Sequence, residues 1–383
     1  MKRLAIITTH PIQYNAPLFR LLSQRKNIEV KVFYTWGQSE SMVFDARFGI
    51  QRSWDIPLLN GYQYEFVRNT SSRPDSNRFW GVVNPGFLKR LNKEQFDAVL
   101  VYRWSLFSHL VIMQRLRKQS KLFFRGDSHL LSKSNVIKGK IRSLFLKCVY
   151  RKVDVAFYVG KHNKEYYLSN GFTESRLREA GHAVDNLRFS ENAIDWEEKA
   201  AAERLQLQIP KEAIVFLYAG KFYEVKQLDH LINSFKQLEG NQYRLLLVGN
   251  GEQESYLKEL AQNDERILFL PFRNQSDMPL VYRLGDVFVL PSKSETWGLS
   301  VNEAMACKRP AIVSNKCGCA PELIVNNRTG YVFDSSDLSA LIHSLRQYST
   351  RETAFEQGEQ AFSHIQRFSL ENVAAVIEKE LMK

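Results

Sequence analysis

Short apolar runs alternate along this chain with stretches whose apolar residues recur at helical spacing. In the first half the runs fall at 4–7, 30–34, 96–102, 122–124 and 155–159, with helical patterns at 17–23, 108–118 and 163–169. In the second half runs at 214–218, 243–248, 267–270, 287–290, 311–313 and 330–333 alternate with helical patterns at 228–238, 278–283 and 370–381, and another helix ends at Ala261. Strands and helices alternating with this period predict an α/β fold, with parallel sheets covered on both faces.

The pattern breaks twice. Residues 36–86 are turn-rich and aromatic, with Trp36, Phe44, Phe48, Trp54, Tyr62, Tyr64, Phe66, Phe79 and Trp80. With Asp45, Arg47 and Asp55 among them, such rings could form a sugar platform or simply pack. Residues 196–207 are charged and alanine-rich and are followed by Ile209-Pro210, which reads as an interdomain boundary. A chain of 383 residues is long enough for two domains of roughly 150 to 200 residues. The predicted division is 1–195, 205–365 and a terminal helix over 366–383.

Open α/β sheets bind ligands at the carboxyl ends of their strands, so those ends are where chemistry is sought. After the run 287–290 comes PSKSETWGLSVNE, residues 291–303, a polar loop leading into a helix. Its two carboxylates, Glu295 and Glu303, flank a turn whose N–H groups and positive dipole end suit an anion, while carboxylates suit hydroxyls. The combination fits a phosphate that carries a sugar. Ser300 and Glu303 also have the spacing of a capping box, which would leave Glu303 tying down the helix start. In the first half, His10, Gln13 and Tyr14 follow the first strand and could face an acceptor, although His10 beside a proline also reads as a turn residue. Arg125-Gly-Asp127 and His129 follow another strand, and Asp127 and His129 are the most plausible acid–base groups of this half.

Composition narrows the partners. The formal charge of +12 attracts anions: nucleotide phosphates, an anionic membrane or nucleic acid. No zinc finger, helix-turn-helix or RNA-binding aromatic signature is present, so nucleic acid is set aside. Residues 132–152 interleave Ile137, Ile141, Leu144, Phe145, Cys148 and Val149 with Lys138, Lys140, Arg142, Lys147, Arg151 and Lys152, which fits either a membrane-surface helix or a packed helix with a solvated basic face. Cys148, Cys307, Cys317 and Cys319 lack zinc-site spacing, so no metal is expected, and their scatter points to a reducing cytoplasm. The N-terminal apolar run reads as a buried strand rather than an export signal, and no run approaches the ~20 residues that span a bilayer.

Four motifs occur in order: Gly220-Lys221 with Lys226, Gly249-Asn-Gly251, Pro291-Ser292 with Glu295 and Glu303, and Gly318 with Glu322. As an ordered set they resemble the family-4 glycosyltransferases, retaining and metal-independent enzymes. That resemblance implies the GT-B arrangement, two Rossmann-like domains facing a cleft with a C-terminal helix crossing back to the first. It implies that Gly220, Lys221, Lys226, Gly249, Phe272 and Arg273 bind the donor, with Lys221 and Lys226 holding its diphosphate and the base near Pro271 to Arg273. Glu303 would bind ribose hydroxyls, Glu295 the transferred sugar, and the backbone N–H groups of Trp297, Gly298 and Leu299 sugar hydroxyls or phosphate. The acceptor would meet His10, Gln13, Tyr14, Arg125 and His129. His10-Pro-Ile-Gln-Tyr14 and Trp54-Asp-Ile-Pro-Leu-Leu59 further resemble a subgroup of bacterial enzymes that build surface polysaccharides.

The departures from that family matter too. Lys221 stands where arginine is usual, Thr296 and Trp297 replace glycine and phenylalanine and predict a larger sugar-pocket wall, and Lys308 and Cys319 replace glycines. The histidine common after the strand at 122–124 is missing, which makes Asp127 the candidate for its role. The implied catalytic set is Asp127, Glu295 and Lys226, with no cofactor beyond the nucleotide diphosphate sugar. The implied partners are that donor and a glycan or lipid-linked acceptor, and the basic amphipathic stretch at 132–152 would add, in its membrane-surface reading, peripheral contact with an anionic membrane from the cytoplasm. A non-catalytic two-lobed sugar-nucleotide-binding protein, a sugar-nucleotide epimerase and a phosphorylase are the rival readings.

Overall fold

The structure, a computed structural model, describes residues 1–36, 43–45, 50–52, 54–131 and 136–383. The chain divides into two compact units. The first comprises the described parts of residues 1–43 and 51–182 together with Leu370–Lys383, and the second is built on Ala183–Ser369.

The first unit opens with β1 (Lys2–Thr8) and β2 (Ile28–Tyr34); the short two-stranded pair that follows in the chain, β3 (Val43–Asp45) and β4 (Ile50–Arg52), has Phe44, Asp45 and Ile50 counted to the second unit. Then come β5 (Gln63–Phe66), β6 (Ala98–Tyr102), β7 (Lys121–Arg125), β8 (Val155–Tyr158) and β9 (Leu177–Glu179). Seven of these form one sheet in the order β5-β2-β1-β6-β7-β8-β9, each pairing parallel. The second unit repeats the plan. Its strands β10 (Ile214–Lys221), β11 (Tyr243–Asn250), β12 (Ile267–Leu270), β13 (Val287–Leu290), β14 (Ala311–Ser314) and β15 (Gly330–Phe333) order as β12-β11-β10-β13-β14-β15, again parallel. Both orders reverse beside the first strand, and at such a switch point a crevice opens beyond the strand ends.

The apolar runs form strands because both faces are covered. Leu4, Ala5, Ile6 and Ile7 have no exposure, and neither do Phe216, Leu217, Val287, Phe288 and Val289. Runs lacking alternation are the mark of strands buried on both sides. β5 carries no apolar run like those of its neighbours, because two of its four residues are exposed and two half-buried.

The expected division differs from the one observed. Residues 193–206 form a helix, Ala193–Gln206, that belongs with the second unit, which begins at Ala183. The charges that made this stretch look like a linker are ion pairs: Arg204 to Asp286 at 2.7 Å, Glu203 to Arg273 at 2.8 Å and Glu197 to Arg309 at 2.9 Å. The C-terminal helix Leu370–Met382 packs on the first unit through Val373, Ala374, Ile377 and Leu381, and Arg178 meets its Glu380 at 2.6 Å. Among the described residues no helix is long and apolar enough to cross a membrane, and no group of three or more His, Cys, Asp or Glu side chains is placed to hold a metal ion.

Candidate active site

In the second unit, β10 and β11 run in register so that Gly220 lies beside Gly249 and Lys221 beside Asn250. A Cβ on Gly249 would lie 1.9 Å from the Gly220 carbonyl oxygen, and φ there is +144°, so a side chain is excluded on both counts. The strand end is therefore bare backbone with Lys221 beyond it. The Lys221 ammonium stands 5.6 Å from the centre of the Tyr223 ring, and the Tyr218 hydroxyl donates to the Lys221 carbonyl at 2.8 Å.

The loop after β13 is sewn to the loop after β14. Glu295 N–H donates to Lys316 O at 3.1 Å, Gly318 N–H to Glu295 O at 3.0 Å and Cys319 N–H to Trp297 O at 3.0 Å. Gly318 is required there, since a Cβ would fall 2.0 Å from Thr296 O. The Lys226 ammonium and the Glu295 carboxylate form an ion pair, four-fifths buried on each side. Two side chains expected to serve the diphosphate and the sugar are thus partners here. Arg273, expected near the base, pairs with Glu203, and Phe272 beside it is half-buried.

The helix Leu299–Ala306 is capped by Gly298 at φ +103°, with no side-chain cap. Ser300 lies inside the helix, so the capping-box alternative for Glu303 is ruled out. Glu303 is instead 2% exposed and accepts from the Tyr282 hydroxyl at 2.5 Å through Oε2. Its Oε1 is buried without a hydrogen-bond partner, and the Arg188 guanidinium stands 4.0 Å from it. Arg188 donates to Gln275 at 3.1 Å, and its Nε is buried without a partner as well. Burial pushes the Glu303 carboxyl up to about 7, against the Tyr282 hydrogen bond and the Arg188 charge. A buried acid with one oxygen unsatisfied is costly unless something donates to it. Ligand hydroxyls would do so.

Trp297 was expected to enlarge the wall of the sugar pocket. Trp297 is 2% exposed, its Nε1 donates to Asn302 at 2.8 Å and its ring lies 6.4 Å from that of Phe368, so the indole is packed into the protein. Leu299 opens the helix behind it.

In the first unit the strand ends carry side chains instead of bare backbone. The His10 ring is half-buried, edge-on to Trp36 at 5.1 Å, with Nδ1 3.0 Å from the Thr9 hydroxyl. Burial, then the nearby Arg103 charge, push its imidazole down to about 4, so it is neutral at pH 7. Gln13 and Tyr14 are half-buried in the turn that follows. Arg125, expected to meet the acceptor, is 5% exposed and donates to the carbonyls of Ala180 and Gly181 at 2.6 and 3.3 Å. Those bonds hold the 180–182 turn against the end of β7. Asp127, half-buried two residues further on, interacts electrostatically with Arg103, and it opposes the lowering of the His182 imidazole, which burial and then Arg125 cause. His129 accepts from Leu131 N–H at 3.1 Å, a local turn contact.

Arg103, His182 and Arg188 were missed in the sequence, since each lies outside a motif. His109 was missed as well: it is fully buried, with Nε2 2.8 Å from the Thr35 hydroxyl and Nδ1 2.9 Å from the carbonyls of Tyr102 and Arg103, and so ties the ends of β2 and β6 together. Of the aromatic-rich stretch, Tyr62, Tyr64 and Phe66 pack with Tyr34, whereas Arg47 and Phe48 lie outside the described residues.

Residues 200–362, which carry β10 to β15 and both carboxylates, match the family model described as Glycosyl transferases group 1. These residues form a group 1 glycosyltransferase domain. A D-inositol 3-phosphate glycosyltransferase of Saccharomonospora viridis is 30% identical over 206 residues, 49% of this chain and 48% of that protein. A capsular polysaccharide biosynthesis glycosyltransferase of Staphylococcus aureus is 28% identical over 202 residues, 50% of this chain and 51% of that one. The chain thus spans about half the length of these curated relatives. Outside the group 1 domain the likeness is one of fold: HepE of Anabaena, solved with UDP, superposes with a TM-score of 0.73 over 100% of both chains at 17% identity. The chain therefore has the GT-B fold.

Proposed function

We propose that this protein moves a sugar from a nucleotide diphosphate sugar to a hydroxyl of a glycan or lipid-linked acceptor, with retention at the anomeric carbon, in the assembly of a bacterial surface polysaccharide. The observation that carries the reading is Glu303, buried with Oε1 unsatisfied on the strand-loop-helix that also supplies Glu295, whose ion-pair partner Lys226 comes from the turn after β10. Ribose hydroxyls would donate to Glu303. Donor binding would separate the ion pair, giving Lys226 a phosphate oxygen and Glu295 a sugar hydroxyl. As the diphosphate leaves, Lys221, Lys226 and the N–H groups at the start of Leu299–Ala306 would stabilise its charge, a task that then needs no metal. Asp127 would accept the proton of the attacking acceptor hydroxyl. The polysaccharide setting draws on the capsular relative, and the nucleotide donor on the fold neighbour that binds UDP.

A panel of radiolabelled UDP, GDP and ADP sugars tests this. One donor should be bound and slowly hydrolysed, and Lys226→Ala and Glu295→Ala should each depress that hydrolysis by about a hundredfold. If no donor is bound or hydrolysed and neither variant changes anything, the transferase reading falls. Binding without any turnover would favour a non-catalytic binding protein.

Peripheral membrane contact from the cytoplasmic side belongs to the same proposal. The helix Val136–Tyr150 packs through Leu146, Val149 and Tyr150, yet leaves Ile141, Leu144 and Phe145 exposed at 66, 68 and 45% beside exposed Lys140 and Arg142. Apolar and basic residues facing solvent together suit an anionic lipid surface. Sedimentation with phosphatidylglycerol vesicles should carry the protein down, and an Ile141→Ser, Leu144→Ser variant that still sediments fully would defeat the idea.

A further inference from the structure

The loop between β5 and the next helix, residues 68–84, is braced far more than an ordinary connection. Asn69 donates to Gly81 O at 2.9 Å, and its Oδ1 accepts from the N–H groups of Ser71 and Val83 at 3.1 and 2.9 Å. The Ser71 hydroxyl donates to Trp80 O at 2.7 Å, and Asp75 N–H to Gly81 O at 3.2 Å. Gly81 fits so closely that a Cβ would lie 1.9 Å from Asp75 O. The backbone that carries Trp80 is thereby fixed.

What this loop presents is an indole. Trp80 stacks one face on Phe107 with centroids 4.6 Å apart and planes at 29°, and Phe79 stands edge-on to it at 5.1 Å. With two rings supporting it, Trp80 is still 62% exposed. The same loop is tied to a cation. Arg103, exposed at the end of β6, takes φ +65°, a conformation that non-glycine residues seldom adopt. Its guanidinium bonds Ser105 Oγ at 3.0 Å and stands 3.4 Å from Asn77 Oδ1 on the same loop, and its charge interacts with Asp75 and Asp127. The loop that carries Trp80 is thus in contact with an arginine whose charge also feels Asp127.

A rigid flat apolar face on a loop that also carries an amide in contact with a cation suits a pyranose ring, whose axial C–H groups form one apolar face and whose hydroxyls project at the edge. We propose that Trp80, supported by Phe107 on the loop that Asn77 links to Arg103, is a subsite for a pyranose residue of the acceptor glycan. The word acceptor rests on the function proposed above; the sugar-binding platform itself does not.

The test uses the full chain on an array of immobilised oligosaccharides, with UDP affinity measured in parallel by calorimetry. Wild type should retain at least one glycan class. Trp80→Ala should weaken that binding by about tenfold or more and Trp80→Phe by less, with UDP affinity unchanged in both. The proposal is overturned if wild type retains no glycan, or if Trp80→Ala holds the same glycans within about twofold. Glycan binding that depends on Trp80 in a protein that binds no sugar nucleotide would sustain the platform while removing the transferase reading.

Discussion

The carboxyl edges of the two sheets share one strand order and are built from different materials. In the second unit the edge is backbone: Gly220 and Gly249 lie in register, and Gly298 opens the helix after β13. In the first unit it is side chain: His10 against Trp36, His109 bridging β2 and β6, and Arg125 fastened to the 180–182 turn. Backbone N–H groups suit a phosphate, which every nucleotide donor shares, so that edge can keep one solution. Side chains suit a partner of particular shape, and there the solution is individual to the chain.

Glycine substitutions probe this contrast most strongly. Gly249→Ala would place a methyl group 1.9 Å from the Gly220 carbonyl oxygen at φ +144°, with two paired strands unable to separate. A loss of about 3 kcal/mol or more is expected, roughly a 10 °C fall in Tm for a unit of this size, together with loss of nucleotide affinity. Gly126→Ala, at the corresponding edge of the first sheet, would meet Phe124 and Tyr167 at 3.4 Å, an ordinary contact, and should shift Tm by no more than about 2 °C. Equal shifts in scanning calorimetry would erase the distinction between the two edges.

A second, smaller effect separates the chemistry of the edges. Asp127→Asn keeps the size of the side chain and removes its charge, so transfer to the acceptor should fall by about a hundredfold in kcat while UDP affinity stays within about twofold. Single-turnover transfer and calorimetry read the two quantities. A parallel loss of UDP affinity would mean that Asp127 supports the fold and does not serve the acceptor.

Which parts were legible in the sequence follows from the same division. Strands buried on both faces announce themselves as unbroken apolar runs, and the donor edge lies in short motifs whose residues are neighbours in sequence. β5 was hidden because a half-exposed edge strand has no such run. Residues 193–206 looked like a linker because ion pairs to Asp286, Arg273 and Arg309 are long-range facts that a run of charges does not disclose. Arg125 looked like a ligand for the same reason, since its carbonyl partners lie 55 and 56 residues away. Arg188, 115 residues before Glu303, belongs to no motif, yet it sets the charge around that carboxylate.

The smallest predicted effect is the most specific to the donor edge, and it concerns protons. Without ligand, burial raises the Glu303 carboxyl from its ordinary value near 4.5 to about 7. Between those values the folded protein holds a proton that the unfolded chain would release. The associated stability is fully present below about pH 4.5 and is lost as pH rises through about 7. Ribose hydroxyls donating to Oε1 would favour the ionised carboxylate, so nucleotide binding should expel a proton near pH 6 to 7, and UDP affinity should climb by roughly tenfold from pH 6 to 8 and then level. Removing the Arg188 charge with Arg188→Gln takes away one of the two influences holding the carboxyl down, so the climb should move to higher pH. Glu303→Gln should abolish it. Calorimetry of UDP binding in two buffers of different ionisation enthalpy counts the proton directly. A pH-independent affinity, or a slope that survives Glu303→Gln, would show that the buried carboxylate is a structural partner of Tyr282 and has no part in holding the donor.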